Sequence, residues 1–314
     1  MRHSVMILIL LGLFTRAQAD DGTRFSIHTD PWLALHHYAY HQARALSDEK
    51  LRSRVPIAEE DVALFDDQVR IAFEPVRIAY DRYLDRDLLF DDELRGVAEA
   101  LIAGGPDRLD DRELAVALEN FMPVYRDVFW PAHAAAAEAT RIRLRQLLED
   151  HGDAMAERSA VQLEGRWPSE PIRVDVLAYA NWAGAYTDND PARHITIGAR
   201  DEDIGAHLLE MIFHEASHTE PLGSVMYETA TRLAAASPVD APEFWHTVQF
   251  YAVGRAAKEV LGPGYTPYAA AQGLTEYQRF GRNWRALDAV WDKHATMEAR
   301  CAAALALMEQ QSGN

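Results

Sequence analysis

The 314-residue sequence predicts an α+β fold, predominantly helical, with a small sheet just ahead of one chemically loaded helix. Three observations predict it. Apolar residues recur at helical spacing through most of residues 30–152. Two short stretches, 172–180 and 193–199, are instead rich in branched residues and alternate as strands do. Directly after them, "MIFHEASHTEPL" (211–222) places His-Glu-x-x-His on a further helical pattern.

The elements follow in order. "MRHSVMILILLGLFTRAQA" (1–19) has a basic start, an apolar run from Val5 to Phe14 and a small-x-small close at Ala17-Gln18-Ala19. That is the pattern of a cleaved secretory signal peptide, and the apolar run is too short to span a bilayer. The expectation is an exported chain, periplasmic or secreted, with no stable membrane insertion after cleavage. "DPWLALHHYAYHQARAL" (30–46) carries an apolar stripe through Trp32, Leu35, Ala39 and Ala43. Residues 59–84 continue at helical spacing, with Pro75 as an expected break or kink. Residues 91–104 start on acids and stop at Gly104-Gly105-Pro106. Residues 110–152 form a long helical run with expected breaks at Pro123 and Pro131. "IRVDVLAYA" (172–180) and "RHITIGA" (193–199) read as strands, and "GAYTDNDPA" (184–192) between them reads as a turn. The division expected is 1–19 signal peptide, 20–165 helical region and 166–314 metal-binding region.

Composition narrows the function. Residues 1–19 hold two arginines and no acid, so the rest of the chain has 29 basic and 49 acidic side chains, a net charge of −20. Such a surface repels nucleic acid, and no dense basic patch with interleaved aromatics appears. Cys301 is the only cysteine. No internal disulfide can form, and any metal must be held by His, Asp and Glu.

Ile204, Leu208, Ile212 and Ala216 recur every four residues, which predicts a helix over 204–219 with a cap at Asp201 or Asp203. Positions four apart share a helix face, so His214 and His218 can bind one metal ion. Glu215 is rotated off that line but close enough to take a proton from a water that the metal activates.

On these residues, His214-Glu215-Ala216-Ser217-His218 with the strands ahead of them, the chain resembles the zincin metallopeptidases. It also resembles exported bacterial proteins that carry the same motif. The resemblance implies a zincin-like catalytic region with Zn2+ on His214 and His218 and with Glu215 as general base. It also implies a short edge strand that aligns a peptide substrate, the place "RHITIGA" is set to fill. The specific match covers about residues 172–250, and the helical N-terminal half matches no peptidase domain. One subclass continues the motif as H-E-x-x-H-x-x-G-x-x-H, but Pro221 and Ser224 stand at the last two defined positions. Another places a Glu about twenty residues on, where this chain has Pro238.

The third ligand is left among His246, Glu243 and Glu228. His246 comes first, because it lies one turn inside the helix expected over 240–262, in an apolar run where an imidazole needs a partner. Asp240 is the expected cap of that helix, and Pro242 suits its first turn. Tyr265 and Tyr268, on the loop after it, are candidate donors to an oxyanion, with simple packing as the other reading. Asn181, Trp182 and Tyr186 are candidates to line a cleft or to form a turn. His207 and Glu210 precede His214 on the same helical side, and Glu210 is a candidate acceptor for a ligand imidazole. His36, His37 and His41 lack an acid that would complete a metal pattern, so a structural or cleft-lining role is expected.

The function expected is a zinc-dependent hydrolase, a metallopeptidase acting on a peptide or other amide. Two alternatives stand beside it. One is an exported metal- or ligand-binding protein with a catalytically inactive peptidase-like fold. The other is a zinc enzyme for a different amide or ester, such as a cell-wall peptide. Glu215 argues against pure binding, which needs no base there.

Overall fold

The computed structural model describes residues 24–47, 54–190, 192–199 and 205–312. The expected signal peptide and the expected cap at Asp201 or Asp203 lie outside these residues. The described elements, in order, are β1 (Phe25–His28), α1 (Pro31–Ala45), α2 (Glu59–Leu64), α3 (Asp67–Tyr80), α4 (Asp92–Gly104), α5 (Arg112–Val128) and α6 (Trp130–Leu163). Then come β2 (Ile172–Leu177), β3 (Ala185–Asp188), β4 (His194–Gly198), α7 (His207–Ala216), α8 (Ser224–Ala236) and α9 (Phe244–Leu261). The chain ends with α10 (Tyr268–Ala271), α11 (Gln278–Val290) and α12 (Met297–Ser312). The fold is α+β and mostly helical. Among the described residues, no helix is long and apolar enough to cross a membrane.

Four aspartates start helices. Asp30 accepts from the Trp32 and Leu33 amides at 2.9 and 3.0 Å, and Asp66, Asp91 and Asp111 cap α3, α4 and α5 in the same way. Each cap satisfies amides that the first helical turn leaves without partners. Pro75 was expected to break or kink its helix and Pro123 to break its own, yet α3 and α5 run on through them. Both prolines lie on the solvent side, as do Ile71 and Glu119 four residues earlier. Water can therefore accept the hydrogen-bonding load of the carbonyls that lose their amide partners. Pro131 sits in the first turn of α6, where a missing amide proton costs nothing.

The sheet has the order β1-β2-β4-β3, with β1, β2 and β4 parallel and β3 antiparallel to β4. Two expectations are corrected here. Residues 185–188 were read as turn but form β3. "RHITIGA" was expected at the edge, but β4 is paired on both sides and β3 takes the edge.

The sheet's two faces differ. Ile172, Val174, Val176, Ala185, Ile195 and Ile197 enter a core with α6, α7, α9, α11 and α12. Alternation sends Arg173, Asp175, Tyr186, Asp188, His194 and Thr196 to the opposite face. There Tyr186 shares a hydrogen bond with His37 of α1 at 3.0 Å, and Asp188 pairs with Arg95 of α4 at 3.4 Å. Burial would push the Asp175 carboxyl up. Hydrogen bonds from His194 Nε2 (3.0 Å) and Arg173 Nε (2.6 Å) overcome that and hold it at about 2.

A second apolar cluster joins α1, α3, α4 and α5, reaching the sheet at Leu177. The two clusters do not divide at residue 165. Phe25 of β1 and Ala137, Leu144, Met155, Ala156 and Leu163 of α6 pack with the C-terminal core.

Candidate metal centre

The motif helix α7 ends at Ala216, earlier than the expected 219. The Ser217 amide still reaches the Phe213 carbonyl, and the His218 amide bonds the Glu215 carbonyl at 3.0 Å in a tightened last turn. The chain then folds back at Gly223. A Cβ there would stand 1.8 Å from the Ser217 carbonyl oxygen, so only glycine permits this approach. Gln249 of α9 donates to Ser217 Oγ at 2.8 Å, and Ser217 Oγ donates to the His214 carbonyl at 2.6 Å. The segment carrying His218 is thereby fixed to α9.

Helix α9 brings in the third imidazole. It begins at Phe244, after Glu243 in a left-handed conformation (φ 53°), so the expected cap at Asp240 does not form. Contacts pair α7 and α9 in opposite senses. Gly254 faces Glu210, Phe250 stacks on His214 with ring centres 3.8 Å apart, and His246 meets His218. A Cβ at Gly254 would lie 2.9 Å from Pro267 Cβ and 3.2 Å from Glu210 Oε1, so the missing side chain lets this pairing close.

His214, His218 and His246 form a near-equilateral triangle, with ring-centre separations of 5.1, 5.4 and 5.5 Å. Each offers a nitrogen within 4.8 Å of the others, and the His214 and His246 Nε2 atoms are 3.4 Å apart. Burial lowers all three pKa values, His214 strongly, His218 to about 3 and His246 to about 4. They are neutral at neutral pH, with lone pairs free for a metal. Glu243 lines the same cleft but stands outside this convergent set. Glu228 lines an adjoining cavity of about 660 Å³ with Asn189 and Arg193, which shares His218 and Trp245 with the cleft, and Glu228 too stands outside the convergent set.

Glu215 is buried beside the triangle. Thr187 of β3 lies with its Oγ1 2.7 Å from Glu215 Oε2 and 2.9 Å from the Glu215 carbonyl oxygen. One hydroxyl proton serves one of these acceptors at a time. The antiparallel register places Thr187 opposite Ile195, on the α7 side of the sheet, so β3 delivers this contact. Burial pushes the Glu215 carboxyl up to about 7, against the Thr187 hydrogen bond.

The supporting residues are redistributed. Tyr265 donates to Glu210 Oε2 at 2.7 Å and does not line the histidine cleft, so the expected role as oxyanion donor does not fit this arrangement. Tyr268 does line the cleft, and its amide donates to the same Glu210 oxygen at 2.9 Å. Glu210 therefore accepts from the Tyr265–Tyr268 loop rather than from a histidine, while His214 Nδ1 and Glu210 Oε1 are both buried without partners. His207 Nε2 donates to the Thr266 carbonyl at 2.9 Å, away from the triangle. Trp182 and Tyr186 line the cleft, and Asn181 does not. His36, His37 and His41 are buried and bonded to Tyr80, Tyr186 and the Ala180 carbonyl, in structural positions. The contributions of Thr187, Phe90, Trp245 and Phe250 were not expected. A four-residue strand and aromatic residues at helical spacing look the same whether they face a core or a cleft.

Glu210 gives a test of this electrostatic layout. Burial pushes its carboxyl up to about 7, against the Tyr265 and Tyr268 hydrogen bonds. Between the ordinary carboxylate range and about 7, the folded chain keeps a proton that the unfolded chain has released. Stability is therefore lost as pH rises through that window. In metal-free protein, Glu210→Gln should gain on the wild type between pH 5 and pH 8 by about 3 kcal/mol. Urea unfolding at both pH values measures this, and a pH-independent difference would mean that Glu210 ionises normally.

Comparison with family models, with curated proteins and with solved structures finds no match for this chain.

Proposed function

We propose that the chain is an exported zinc-dependent hydrolase of zincin type, acting on a peptide or other amide, with His214, His218 and His246 as ligands and Glu215 as general base. One observation carries the reading: three neutral imidazoles, His214 buried and His218 and His246 partly buried, converge on a point beside a buried carboxylate. The donor set suits zinc. Zinc–nitrogen bonds of 2.0–2.1 Å at tetrahedral angles put ligand nitrogens about 3.4 Å apart, the separation found between His214 and His246. Three protein ligands leave a fourth position for water or substrate, as catalytic rather than structural zinc sites do.

Bound zinc would supply Lewis-acid activation of water and carbonyl. The chain's own residues do the rest. Glu215 takes the proton of the attacking water, its raised affinity suiting it to hold that proton and pass it to the leaving amine. Thr187 fixes the carboxylate from the edge strand. Phe250 and Trp245 stack on His214 and His246 and keep water from the outer faces of both rings.

Protein purified without added metal and then titrated with zinc should bind about one ion per chain, tighter than micromolar. Elemental analysis gives the stoichiometry and competition with a chromogenic chelator the affinity. A chain that neither retains nor binds zinc at that level would refute the metal centre.

A further inference from the structure

The cleft of about 460 Å³ beside the three histidines has an aromatic wall that the proposed chemistry does not use. Phe90 and Trp182 are on it, 71% and 45% exposed. They come from distant parts of the sequence, the α3–α4 connection and the β2–β3 connection. Asp87 ties them together. Its Oδ1 accepts from the Leu89 amide at 2.9 Å, its carbonyl accepts from the Phe90 amide at 3.1 Å, and its Oδ2 accepts from the Trp182 indole at 3.1 Å. The Arg54 guanidinium lies 5.4 Å from the Trp182 ring centre. The indole is thus held at its edge and beside its ring while still half open to solvent.

Exposed aromatic surface held in a fixed place beside a reactive centre is the arrangement that binds a partner's apolar group. Deeper in, Met211 and Phe250 continue the apolar lining toward His214. Among the described residues that line this cleft, the one cation, Arg95, is committed to Asp92 and Asp188. Arg54, which stands against the Trp182 ring, is not among the described residues that line the cleft.

We infer that this cleft is a specificity pocket for a bulky apolar, preferably aromatic, side chain adjoining the amide that is cleaved, with Trp182 and Phe90 as its outer walls and Asp87 as the residue that positions both. The inference rests on the zinc-hydrolase reading and names its substrate class. The helical N-terminal half then has a part in recognition, because it supplies Phe90 and Asp87.

Hydroxamates test it without turnover. Binding of N-acetylphenylalanine, N-acetylglycine and N-acetylaspartate hydroxamates to the zinc-loaded chain is measured by calorimetry. Burying one aromatic side chain should favour the phenylalanine compound over the glycine compound by roughly tenfold to a hundredfold. The aspartate compound should bind no better than glycine. Trp182→Ala and Phe90→Ala should each shrink the aromatic preference several-fold while leaving zinc affinity, read by chelator competition, unchanged. Both residues are exposed enough for the variants to fold, and Trp182→Phe should keep most of the preference. Equal binding of the phenylalanine and glycine compounds, or a preference that survives both alanine variants, overturns the pocket and leaves the metal centre standing. A zinc-loaded chain that binds none of the three has no open position at the metal, and the hydrolase reading falls with the pocket.

Discussion

Glu215→Gln should retain about one zinc per chain and the wild-type fold, yet lose hydrolysis by roughly 10²–10⁴-fold, the contribution of a placed proton-transfer group. The carboxylate is beside the histidine triangle but is not one of its three converging donors. Glutamine has nearly the same volume, and its amide oxygen still accepts from Thr187 Oγ1, which lies 2.7 Å from the native carboxylate. What is lost is the ability to take up a proton. The experiment compares zinc affinity by chelator competition with cleavage of a substrate found by screening a broad peptide library. Cleavage at the wild-type rate by Glu215→Gln would refute the general-base role whatever the metal content. A wild-type chain that binds zinc normally and cleaves nothing in the library would favour a metal- or ligand-binding protein with an inactive peptidase-like fold.

The residues of the candidate site were more legible than the elements that hold them. His214, Glu215 and His218 are local in sequence, and one helical turn suffices to relate them. His246 was legible for a different reason: an imidazole one turn inside an apolar helix has to find a partner. The sheet was harder. β4 announces itself by alternating Ile195 and Ile197 with His194 and Thr196, but its position in the sheet depends on β1 and β3, each only four residues long. Ala185–Asp188 lies among Gly184, Asn189, Asp190 and Pro191, whose turn chemistry outweighs two β-formers, Tyr186 and Thr187. That misreading moved the edge strand to the wrong segment and hid the Thr187 contact with Glu215. Tyr265 failed similarly. Its place on the loop after α9 brought it near the expected site, but sequence spacing says nothing of which oxygen a hydroxyl will find, and Glu210 takes it. The long helix α6 looked like part of an N-terminal unit because it is continuous with helical sequence, whereas its buried apolar side chains from Ala137 to Leu163 belong to the core under the candidate site.

His246→Ala should weaken zinc binding by more than the 10–100-fold that loss of a residue merely supporting a ligand costs. The variant leaves two imidazoles where three converge, and two nitrogen donors do not complete a catalytic zinc site. The competing assignments make the test discriminating. Glu243 lies in the same cleft three residues earlier, but it is exposed and outside the convergent set. Glu228 faces the neighbouring cavity of about 660 Å³. Glu243→Ala and Glu228→Ala should therefore keep zinc affinity within a few-fold of the wild type. Folding is a separate matter, because Trp245 and Phe250 pack against the His246 ring at 4.9 Å between ring centres. His246→Gln, closer to the imidazole in size than alanine, separates lost packing from lost ligation. If both variants unfold at the wild-type urea midpoint without metal but fail to gain the zinc-dependent stabilisation of the wild type, the loss is at the metal. That stabilisation follows RT ln(1 + [Zn]/Kd) and reaches about 4 kcal/mol at a thousandfold excess over Kd. Retained affinity in both His246 variants, with loss in Glu243→Ala or Glu228→Ala, would move the third ligand to a carboxylate and require α8 or the start of α9 to turn toward the motif helix.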